Sequence, residues 1–426
     1  MLLHAAGPAL VAHPGHGLSG PGTGSTFFER LEDWVRQEAV PGGDTVPADP
    51  QAPPFRGGWF IYLGYEMAAE VEPSLLLPGS GSGLPDAVAH RCPGAVILFH
   101  GGETGSADRA VAVAETPGLL AQLLERLASA SRGSAPPAEY ADPVLDAISE
   151  ENPERFKKAV RRIHEYLRSG DTFQVNVSRP WTGSFRFAPD PYRLYDSLRQ
   201  ANPAPFAGLM RWDSRFVLSS SPERLVQVQG RTVQTRPIAG TRPRGRDLAH
   251  DRGLADELLS NLKERAEHVM LIDLERNDLG RVCRPGTVEV NELMVVETHA
   301  HVHHIVSNVR GELAAGKGPV DAMKAVFPGG TITGCPKVRC MEIIAELEQT
   351  GRSFYTGSMG YLGRDGNLDL NILIRSMLVH GRHFQFRTGA GIVADSDPDQ
   401  EVLETADKAR GMLLALELHG RERIYA

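Results

Sequence analysis

Residues 232–245 read TVQTRPIAGTRPRG, and this stretch marks the change from strands to helices within the chain. Its first half, TVQTRPI, predicts a strand. Its second half is a basic turn with glycine and proline, and it holds the small Ala239. A long helical stretch, LADELLSNLKERAEHVMLIDLERNDLG, follows at residues 254–280. A small apolar side chain at Ala239 is unexpected at the centre of so basic a turn, and its role needs an explanation.

Strands dominate on both sides of this stretch. FAGLMRW, RFVLSSS and RLVQVQG precede it. TVEVNELMVVETHAHVHHIVSNVRGEL, FYTGSMGYLG, LDLNILIRSMLVHG and HFQFRTGAGIVA follow it, with helices between them. Many of these strands form pairs of hairpin length, which favours an α+β fold over a parallel α/β sheet.

The best linker in the chain is SRGSAPPAEYADP, at residues 131–143. We therefore place a boundary near residue 145 and predict an N-terminal region, 1–145, and a catalytic region, 146–426. The second region opens with a helix near Pro153, in which Phe156, Val160, Ile163 and Leu167 fall on one face.

Composition excludes several classes of protein. The chain of 426 residues has room for one large domain or two, and its formal net charge of −8 provides no basic surface for nucleic acid. No apolar stretch is long enough to span a membrane, and the first residues lack the features of a secretory signal. The four cysteines form no C-x-x-C pair, which disfavours a zinc site or disulfide framework. We expect a cytoplasmic protein without nucleic-acid or membrane partners.

Two helices each carry Glu-x-x-Glu, with the carboxylates on one helix face. The pairs are Glu264 with Glu267 and Glu401 with Glu404. Four clustered carboxylates suit Mg²⁺, although the same spacing occurs elsewhere in the chain and a solvated helix face is the alternative. The apolar HVMLI after Glu267 and the glycine-rich TGAGI before the second pair favour a site.

Two glycine-rich segments offer exposed backbone to an anion. RTGAGIVADS places Gly389 and Gly391 around a small residue, and PGGTITGCPK adds the hydroxyl of Thr331. A tight turn is the alternative for the first segment, and the second is not a P-loop.

Three single residues interrupt apolar strands. Glu223 in SSSPERL is either a general acid or a partner of nearby arginines. Arg375 in NILIRSM needs an anionic partner, from the protein or a ligand. In THAHVHHIVS, strand alternation places His304 on the apolar side, as an active-site or core histidine, and His303 on a solvated side.

In order, these segments closely resemble the chorismate-utilising enzymes, which include anthranilate synthase component I, aminodeoxychorismate synthase component I, isochorismate synthase and salicylate synthase. The resemblance spans about residues 150–415. It rests on GDTFQVNVSR, SSSPERL, TRPIAGTRPRG, KERAEHVMLIDLERNDLGRV, HVHHIVS, FPGGTITGCPK, YTGSMGYL, LIRSM, GAGIVADSDP and ETADKA.

The resemblance implies a fold of two large, mainly antiparallel sheets packed together, with helices outside. It also implies a site for Mg²⁺ and chorismate, a dianion. Glu267 and Glu404 would bind the metal, and Glu264 and Glu401 would hold its waters. Glu223 would help the 4-hydroxyl leave. The remaining positions that the resemblance assigns to the substrate site are Tyr355, Arg375, Gly389, Gly391, Lys408, Gly240, Thr241, Thr331 and His304.

Two positions bear on the reaction. Members that add water have a lysine base where this chain has Gln174, which favours an amine nucleophile here. Many aminodeoxychorismate synthases have PIKGT, whose lysine attacks C2; Ala239 removes that nucleophile and leaves room for ammonia. PIAGT is the anthranilate synthase sequence, but an aminodeoxychorismate synthase subgroup shares it.

The N-terminal region decides the expected product. YLGYEMAAEVEPSLLLP resembles aminodeoxychorismate synthase, and the LLES block of the tryptophan feedback site of anthranilate synthase is absent. We expect aminodeoxychorismate synthase component I, with anthranilate synthase component I and a non-catalytic regulatory subunit as alternatives. Neither Cys283 nor Cys335 lies in a G-x-C-x-G elbow, so we expect ammonia from a glutamine amidotransferase subunit.

Overall fold

The computed structural model describes residues 1–40, 52–100, 108–132, 144–298 and 302–421. The strands in this part of the chain are β1 (Leu2–His4), β2 (Ala9–His13), β3 (Gly17–Ser19), β4 (Gly58–Leu63), β5 (Ala87–Cys92), β6 (Gly94–Phe99), β7 (Arg109–Ala114), β8 (Leu145–Glu150), β9 (Gln174–Phe185), β10 (Phe206–Trp212), β11 (Arg215–Ser221), β12 (Arg224–Gln229), β13 (Thr232–Thr235), β14 (Ile238–Pro243), β15 (Glu289–Thr298), β16 (Val302–Glu312), β17 (Gly334–Cys335), β18 (Ser358–Gly363), β19 (Leu368–Asn371), β20 (Ser376–His380) and β21 (His383–Ile392).

Ten α-helices lie between these strands in the described ranges. They are α1 (Phe27–Glu38), α2 (Ala68–Val71), α3 (Pro117–Arg132), α4 (Pro153–Ser169), α5 (Pro191–Ala201), α6 (Leu248–Ser260), α7 (Leu262–Gly280), α8 (Pro319–Val326), α9 (Lys337–Glu348) and α10 (Pro398–Arg421). Among the described residues, no helix is long and apolar enough to cross a membrane.

Two large antiparallel sheets form the body of the molecule. The seven-stranded sheet has the order β10-β11-β20-β21-β9-β17, with β8 also paired to β9. The eleven-stranded sheet has the order β14-β16-β13-β12-β19-β18-β4-β5-β2-β3, with β15 also paired to β16. A small sheet of β1, β6 and β7 lies beside them. The expected α+β fold is confirmed.

The two large sheets pack through a shared apolar layer. The eleven-stranded sheet contributes Tyr62 and Val88, and the seven-stranded sheet contributes Met210, Val217 and Leu378 to one buried cluster. Burying side chains of this size stabilises the fold by about 1.5–3 kcal/mol each. This layer fixes the distance between the sheets. The chain crosses from one sheet to the other between β11 and β12 and again between β19 and β20.

The eleven-stranded sheet runs across the predicted boundary near residue 145. Strand β4, from the N-terminal region, pairs with β18, from the C-terminal region, with Ile61 opposite Gly360. Helix α3 continues to Arg132, into the predicted linker, and residues 133–143 lie outside the described residues. The two regions thus share a sheet, and the boundary at 145 stays a prediction from composition.

Helix α4 illustrates how local sequence sets an element. The side chain of Asn152 accepts a hydrogen bond from the Glu154 amide at 3.0 Å, Pro153 occupies the first turn, and Gly170 ends the helix at φ +79°. The predicted face is buried, with Tyr166 more enclosed than Leu167. It packs against β9 and β21, the strands that carry several residues of the predicted site.

Candidate active site

Two of the crossings between the large sheets run side by side. One joins β11 to β12 and carries Glu223; the other joins β19 to β20 and carries Arg375. The strands on either side are paired, β11 with β20 and β12 with β19. The crossings also bond to each other: the Ile372 amide donates to the Glu223 carbonyl at 3.0 Å, and the Ser220 amide donates to the Arg375 carbonyl at 3.1 Å. The topology therefore brings the predicted acid and the predicted arginine together.

Glu223 is a buried carboxyl, with 5% of its surface exposed. Burial raises its pKa from 4.5 to about 7, although the hydroxyl of Thr331, the amide of Ile238 and the charges of Arg375 and Lys408 partly oppose the rise. Near neutral pH about half of such carboxyls carry a proton. Glu223 is thus able to donate a proton to a leaving group.

The arginines near Glu223 in the sequence form ion pairs with other carboxylates. Arg224 pairs with Asp369 at 2.9 Å, and Arg236 pairs with Glu297 at 2.6 Å. The two further arginines of the basic turn also have acidic partners, which are Glu257 and Glu264 for Arg242 and Asp251 for Arg244. These pairs leave the Glu223 carboxyl facing Thr331 and Arg375.

Arg375 is held in an uncommon backbone conformation, at φ +49°. For a residue with a side chain this costs about 1–3 kcal/mol, and such strain clusters at ligand sites. Burial lowers the pKa of its guanidinium, and the charge of Glu223 opposes that shift. In the part of the chain that the structure describes, no hydrogen bond or ion pair engages this guanidinium. A desolvated guanidinium of this kind favours an anionic ligand.

At Gly389 and Gly391, two predicted site positions on strand β21, neighbouring side chains lie so close that a Cβ atom would meet them. A Cβ on Gly389 would lie 2.8 Å from the Tyr355 hydroxyl and 2.9 Å from Asn176 Oδ1. A Cβ on Gly391 would lie 2.3 Å from Nε2 of Gln174. The glycines thus let the polar ends of these side chains approach the strand backbone.

Two further groups complete this part of the site. Burial raises the pKa of Tyr355 to about 12, which keeps its hydroxyl protonated and able to donate. Nζ of Lys408 donates to the Gly389 carbonyl at 3.1 Å and pairs with Glu404 at 2.7 Å. Donors from three segments therefore reach β21 at these glycines: Tyr355, Gln174 of β9 and Lys408 of α10.

The basic segment around Ala239 is predicted as a turn, but this is wrong: residues Ile238–Pro243 form strand β14, because their backbone pairs with β16. Strand β14 shifts register between Ala239 and Thr241, and Gly240 takes φ +67°. A Cβ on Gly240 would lie 2.2 Å from Oε2 of Glu264, so the glycine is needed for this approach. Ala239 itself is buried and lies opposite Ile305. Strand β14 therefore carries the Ala239 methyl group next to Gly240, where the carboxylate of Glu264 approaches. The Thr241 side chain lies outside the described residues.

The four predicted metal-binding carboxylates divide between α7 and α10. Glu267 accepts a hydrogen bond from Gln174 at 3.0 Å, Glu264 pairs with Arg242 at 2.7 Å, and Glu401 is buried, whereas Glu404 is exposed. Oε2 of Glu264 is buried and has no hydrogen-bond partner. Hard carboxylate oxygens of this kind fit Mg²⁺. The described residues contain no group of three or more acidic, histidine or cysteine side chains close enough to hold a metal.

The histidine strand β16 differs from its prediction at one position. His304 is buried between Thr241 of β14 and Glu297 of β15, as the apolar side requires. His303 was expected on a solvated face, but this is wrong, because Asp251 of α6 covers it with an Nε2–Oδ1 distance of 2.9 Å. His299 and His301, which strand alternation would place on the same face as His303, lie outside the described residues.

Two polar residues at this site carry no sequence prediction. Asn176 is buried opposite Gly391, and its Oδ1 has no hydrogen-bond partner. Glu275 of α7 is also buried, and burial together with Asp278 raises its pKa to about 8. The signal in both cases was a polar residue within an apolar stretch, QVNVS or MLIDLERN.

This fold and these residues define a class of enzyme. The chain belongs to the chorismate-binding enzymes, since the model of that family matches residues 26–414. It is therefore a chorismate-utilising enzyme.

Its relatives carry two names. The chain is 42% identical over 377 residues to aminodeoxychorismate synthase component 1 of Bacillus subtilis, covering 87% of this chain and 79% of the relative. It is also 42% identical over 391 residues to anthranilate synthase component 1 of Streptomyces coelicolor, covering 87% and 75%. The crystal structure of anthranilate synthase component I from Streptococcus pneumoniae superimposes with a TM-score of 0.83 at 30% identity, covering 96% of this chain and 91% of that one. Identity alone does not separate the two reactions.

Proposed function

We propose that this chain is an aminodeoxychorismate synthase component I, which converts chorismate and ammonia into 4-amino-4-deoxychorismate. The observation that carries the chemistry is the placement of Glu223, whose pKa is about 7, beside Arg375, whose guanidinium makes no hydrogen bond or ion pair within the described residues. One group supplies a proton, and the other attracts a carboxylate. The resemblance of residues 62–78 to aminodeoxychorismate synthase supports this product over anthranilate.

The substrate is held by groups that favour anions. In the proposal, Arg375, the Tyr355 hydroxyl and the backbone amides of Gly389 and Gly391 bind the enolpyruvyl carboxylate, and Lys408 adds positive charge beside them. Charge-assisted hydrogen bonds from buried donors are the strong ones. This end of the substrate is therefore fixed while the ring reacts.

The first step replaces the 4-hydroxyl. Glu223 protonates that hydroxyl, which leaves as water, while ammonia forms a bond to C2 and the double bonds of the ring shift. Loss of one proton from the new ammonium group restores a neutral amine, so chorismate and ammonia give a 2-amino intermediate and water. A second ammonia then forms a bond to C4 while the double bonds shift back, the C2 amino group gains a proton and leaves as ammonia, and the new ammonium group at C4 loses a proton to give 4-amino-4-deoxychorismate.

Two residues of this chain support ammonia as the nucleophile. Ala239 has no amine to attack C2, and no lysine occurs between residues 176 and 262 to replace it. Gln174 donates its amide to Glu267 and cannot accept a proton from water as a lysine base would. The first feature disfavours attack by a lysine of the enzyme, and the second disfavours the addition of water.

Mg²⁺ belongs to the proposal, with Glu267 and Glu404 as its ligands and Glu264 and Glu401 holding its waters. When bound, the cation would neutralise part of the charge between these carboxylates and the carboxylate on the substrate ring. The buried, unpartnered Oε2 of Glu264 supports a cation at this place.

The nitrogen source in the proposal is a separate glutamine amidotransferase subunit. A glutaminase needs a reactive thiolate, but burial raises the pKa of Cys283 to about 11 and also raises that of Cys335. Neither thiol is suited to attack glutamine. The purified chain should therefore use ammonium salts and not glutamine.

One experiment tests the proposed function. Purified protein is incubated with chorismate, Mg²⁺ and ammonium, and the products are identified by mass spectrometry with a parallel assay for pyruvate. We expect aminodeoxychorismate and little pyruvate. Stoichiometric pyruvate with anthranilate would establish anthranilate synthase, the second candidate, which Ala239 in PIAGT favours. Absence of chorismate turnover would favour a regulatory subunit.

A further inference from the structure

A buried cluster of three charged residues lies behind the substrate site. Glu348, at the end of α9, pairs with Arg352 at 2.6 Å and with Arg387 at 2.8 Å. Although burial favours the neutral form of this carboxyl, the two arginines hold its pKa below the ordinary value. Glu348 also accepts hydrogen bonds from the Ser178 amide at 2.8 Å and from its hydroxyl at 2.9 Å. The cluster thus binds strand β9 at the residue opposite Gly389.

Arg352 reaches further than its partners. Its guanidinium donates to the Asn176 carbonyl at 2.8 Å and to the Ile332 carbonyl at 3.1 Å. It also lies against the Tyr355 ring, with its central carbon 5.6 Å from the ring centroid. Only 2% of Arg352 is exposed. One side chain therefore contacts three segments that face the substrate.

We propose that Arg352 is a positioning residue for the reaction, because it fixes the Thr331 turn, the Asn176 backbone and Tyr355 relative to one another. The inference rests on the proposed function, since it assigns those three segments to chorismate. Arg352 touches none of the reacting atoms; it acts through the groups that do.

The geometry of the guanidinium explains why arginine is required. Its donors lie in one plane in a fixed fork, so a single group satisfies Glu348 on one side and two carbonyls on the other. The flat face remains available to stack on Tyr355. A lysine keeps the charge beside Glu348 but cannot hold all of these partners in fixed directions.

Arg387 provides the matched control. It shares Glu348 with Arg352 and donates to the hydroxyl of Ser178 at 2.9 Å and to its carbonyl at 3.3 Å. None of its hydrogen bonds within the described residues goes to Asn176, Ile332 or Tyr355. Either substitution weakens the ion cluster, but of the two arginines only Arg352 donates to the Asn176 and Ile332 carbonyls within the described residues.

The test compares Arg352→Lys with Arg387→Lys in ammonium-dependent turnover of chorismate. A displacement of about 1 Å in a positioned group costs on the order of 10²-fold. We expect kcat/KM for chorismate to fall by about 10²-fold in Arg352→Lys, with both a higher KM and a lower kcat. For Arg387→Lys we expect kcat/KM to stay within about threefold of the wild-type value, although its Tm should fall about as much as that of Arg352→Lys.

A second readout separates positioning from general loosening of the fold. The Thr331 hydroxyl lowers the pKa of Glu223, so a displaced Thr331 raises that pKa and moves the alkaline limb of the kcat profile to higher pH. We expect this shift in Arg352→Lys and not in Arg387→Lys. The inference is overturned if Arg352→Lys keeps the wild-type kcat/KM and pH profile, or if both variants lose activity in proportion to Tm. A wild-type protein that does not turn over chorismate would overturn the proposed function itself, and the inference with it.

Discussion

Replacement of Glu223 by glutamine should remove activity and, above neutral pH, stabilise the protein. Glutamine keeps the shape of the side chain but cannot protonate the leaving hydroxyl. General acid catalysis contributes typically 10²- to 10⁴-fold, so we expect kcat of Glu223→Gln to fall by about that factor. In the wild type the acid is about half protonated near pH 7 and roughly one-tenth protonated a pH unit higher, so kcat should fall as pH rises.

The effect on stability follows from the same pKa. Burial raises the pKa of Glu223 from 4.5 in the unfolded chain to about 7 in the folded protein. Ionisation therefore disfavours the folded state: the destabilisation is absent below about pH 4.5, grows up to about pH 7 and is constant above it. Its limiting value is about 3 kcal/mol. Because glutamine stays neutral, Glu223→Gln should recover much of this free energy at about pH 8 and none at about pH 4.

The measurement combines turnover with thermal unfolding at the two pH values. We expect Tm of Glu223→Gln to exceed the wild-type Tm by a few degrees at about pH 8, and to match it at about pH 4. Glu292→Gln is the control, since Glu292 is partly exposed and pairs with Arg236 at the surface. The reasoning is refuted if Glu223→Gln keeps full activity, or if its Tm relative to the wild type does not change with pH.

Three further predictions concern the metal, the nucleophile and the glycines. Chelation should abolish turnover and Mg²⁺ should restore it, with Glu267→Gln and Glu404→Gln losing far more activity than Glu292→Gln; full activity in excess chelator would exclude the metal. Enzyme quenched with chorismate and Mg²⁺ should show its unmodified intact mass, and an adduct on any lysine would contradict attack by free ammonia. Gly391→Ala should lower kcat/KM by about tenfold or more, because its Cβ would lie 2.3 Å from the Gln174 amide, whereas Gly253→Ala, which meets nothing within 4 Å, should leave kcat/KM unchanged.

Much of the fold could be predicted because its signals are local. The buried face of α4 and its ends at Asn152 and Gly170 depend on neighbours within a few residues. The ordered motifs also located Glu223 and Arg375, although their proximity depends on how the chain crosses between the sheets.

The features that could not be predicted depend on distant partners. Ser178 and Glu348 are 170 residues apart in the sequence, and no periodicity links them. The burial of His303 requires α6 to fold back over β16, which strand alternation alone cannot indicate. Glu275 is a charged residue within a helix, so its sequence context predicts an exposed side chain. Its burial depends on the distant segment at Gly330, which lies close to its carboxylate.

Because the two crossings run side by side between the sheets, the apolar layer that separates the sheets also affects the distance between Glu223 and Arg375. Glu223 and Arg375 are attached at both ends to strands of different sheets, so their separation depends on how far apart the sheets lie. Met210 and Leu378, which fill the layer, contribute to that thickness without being part of the site. A change of one methylene group there alters the spacing of the acid and the guanidinium from a distance. The reaction can therefore be tuned through the core, while every residue that meets the substrate stays the same.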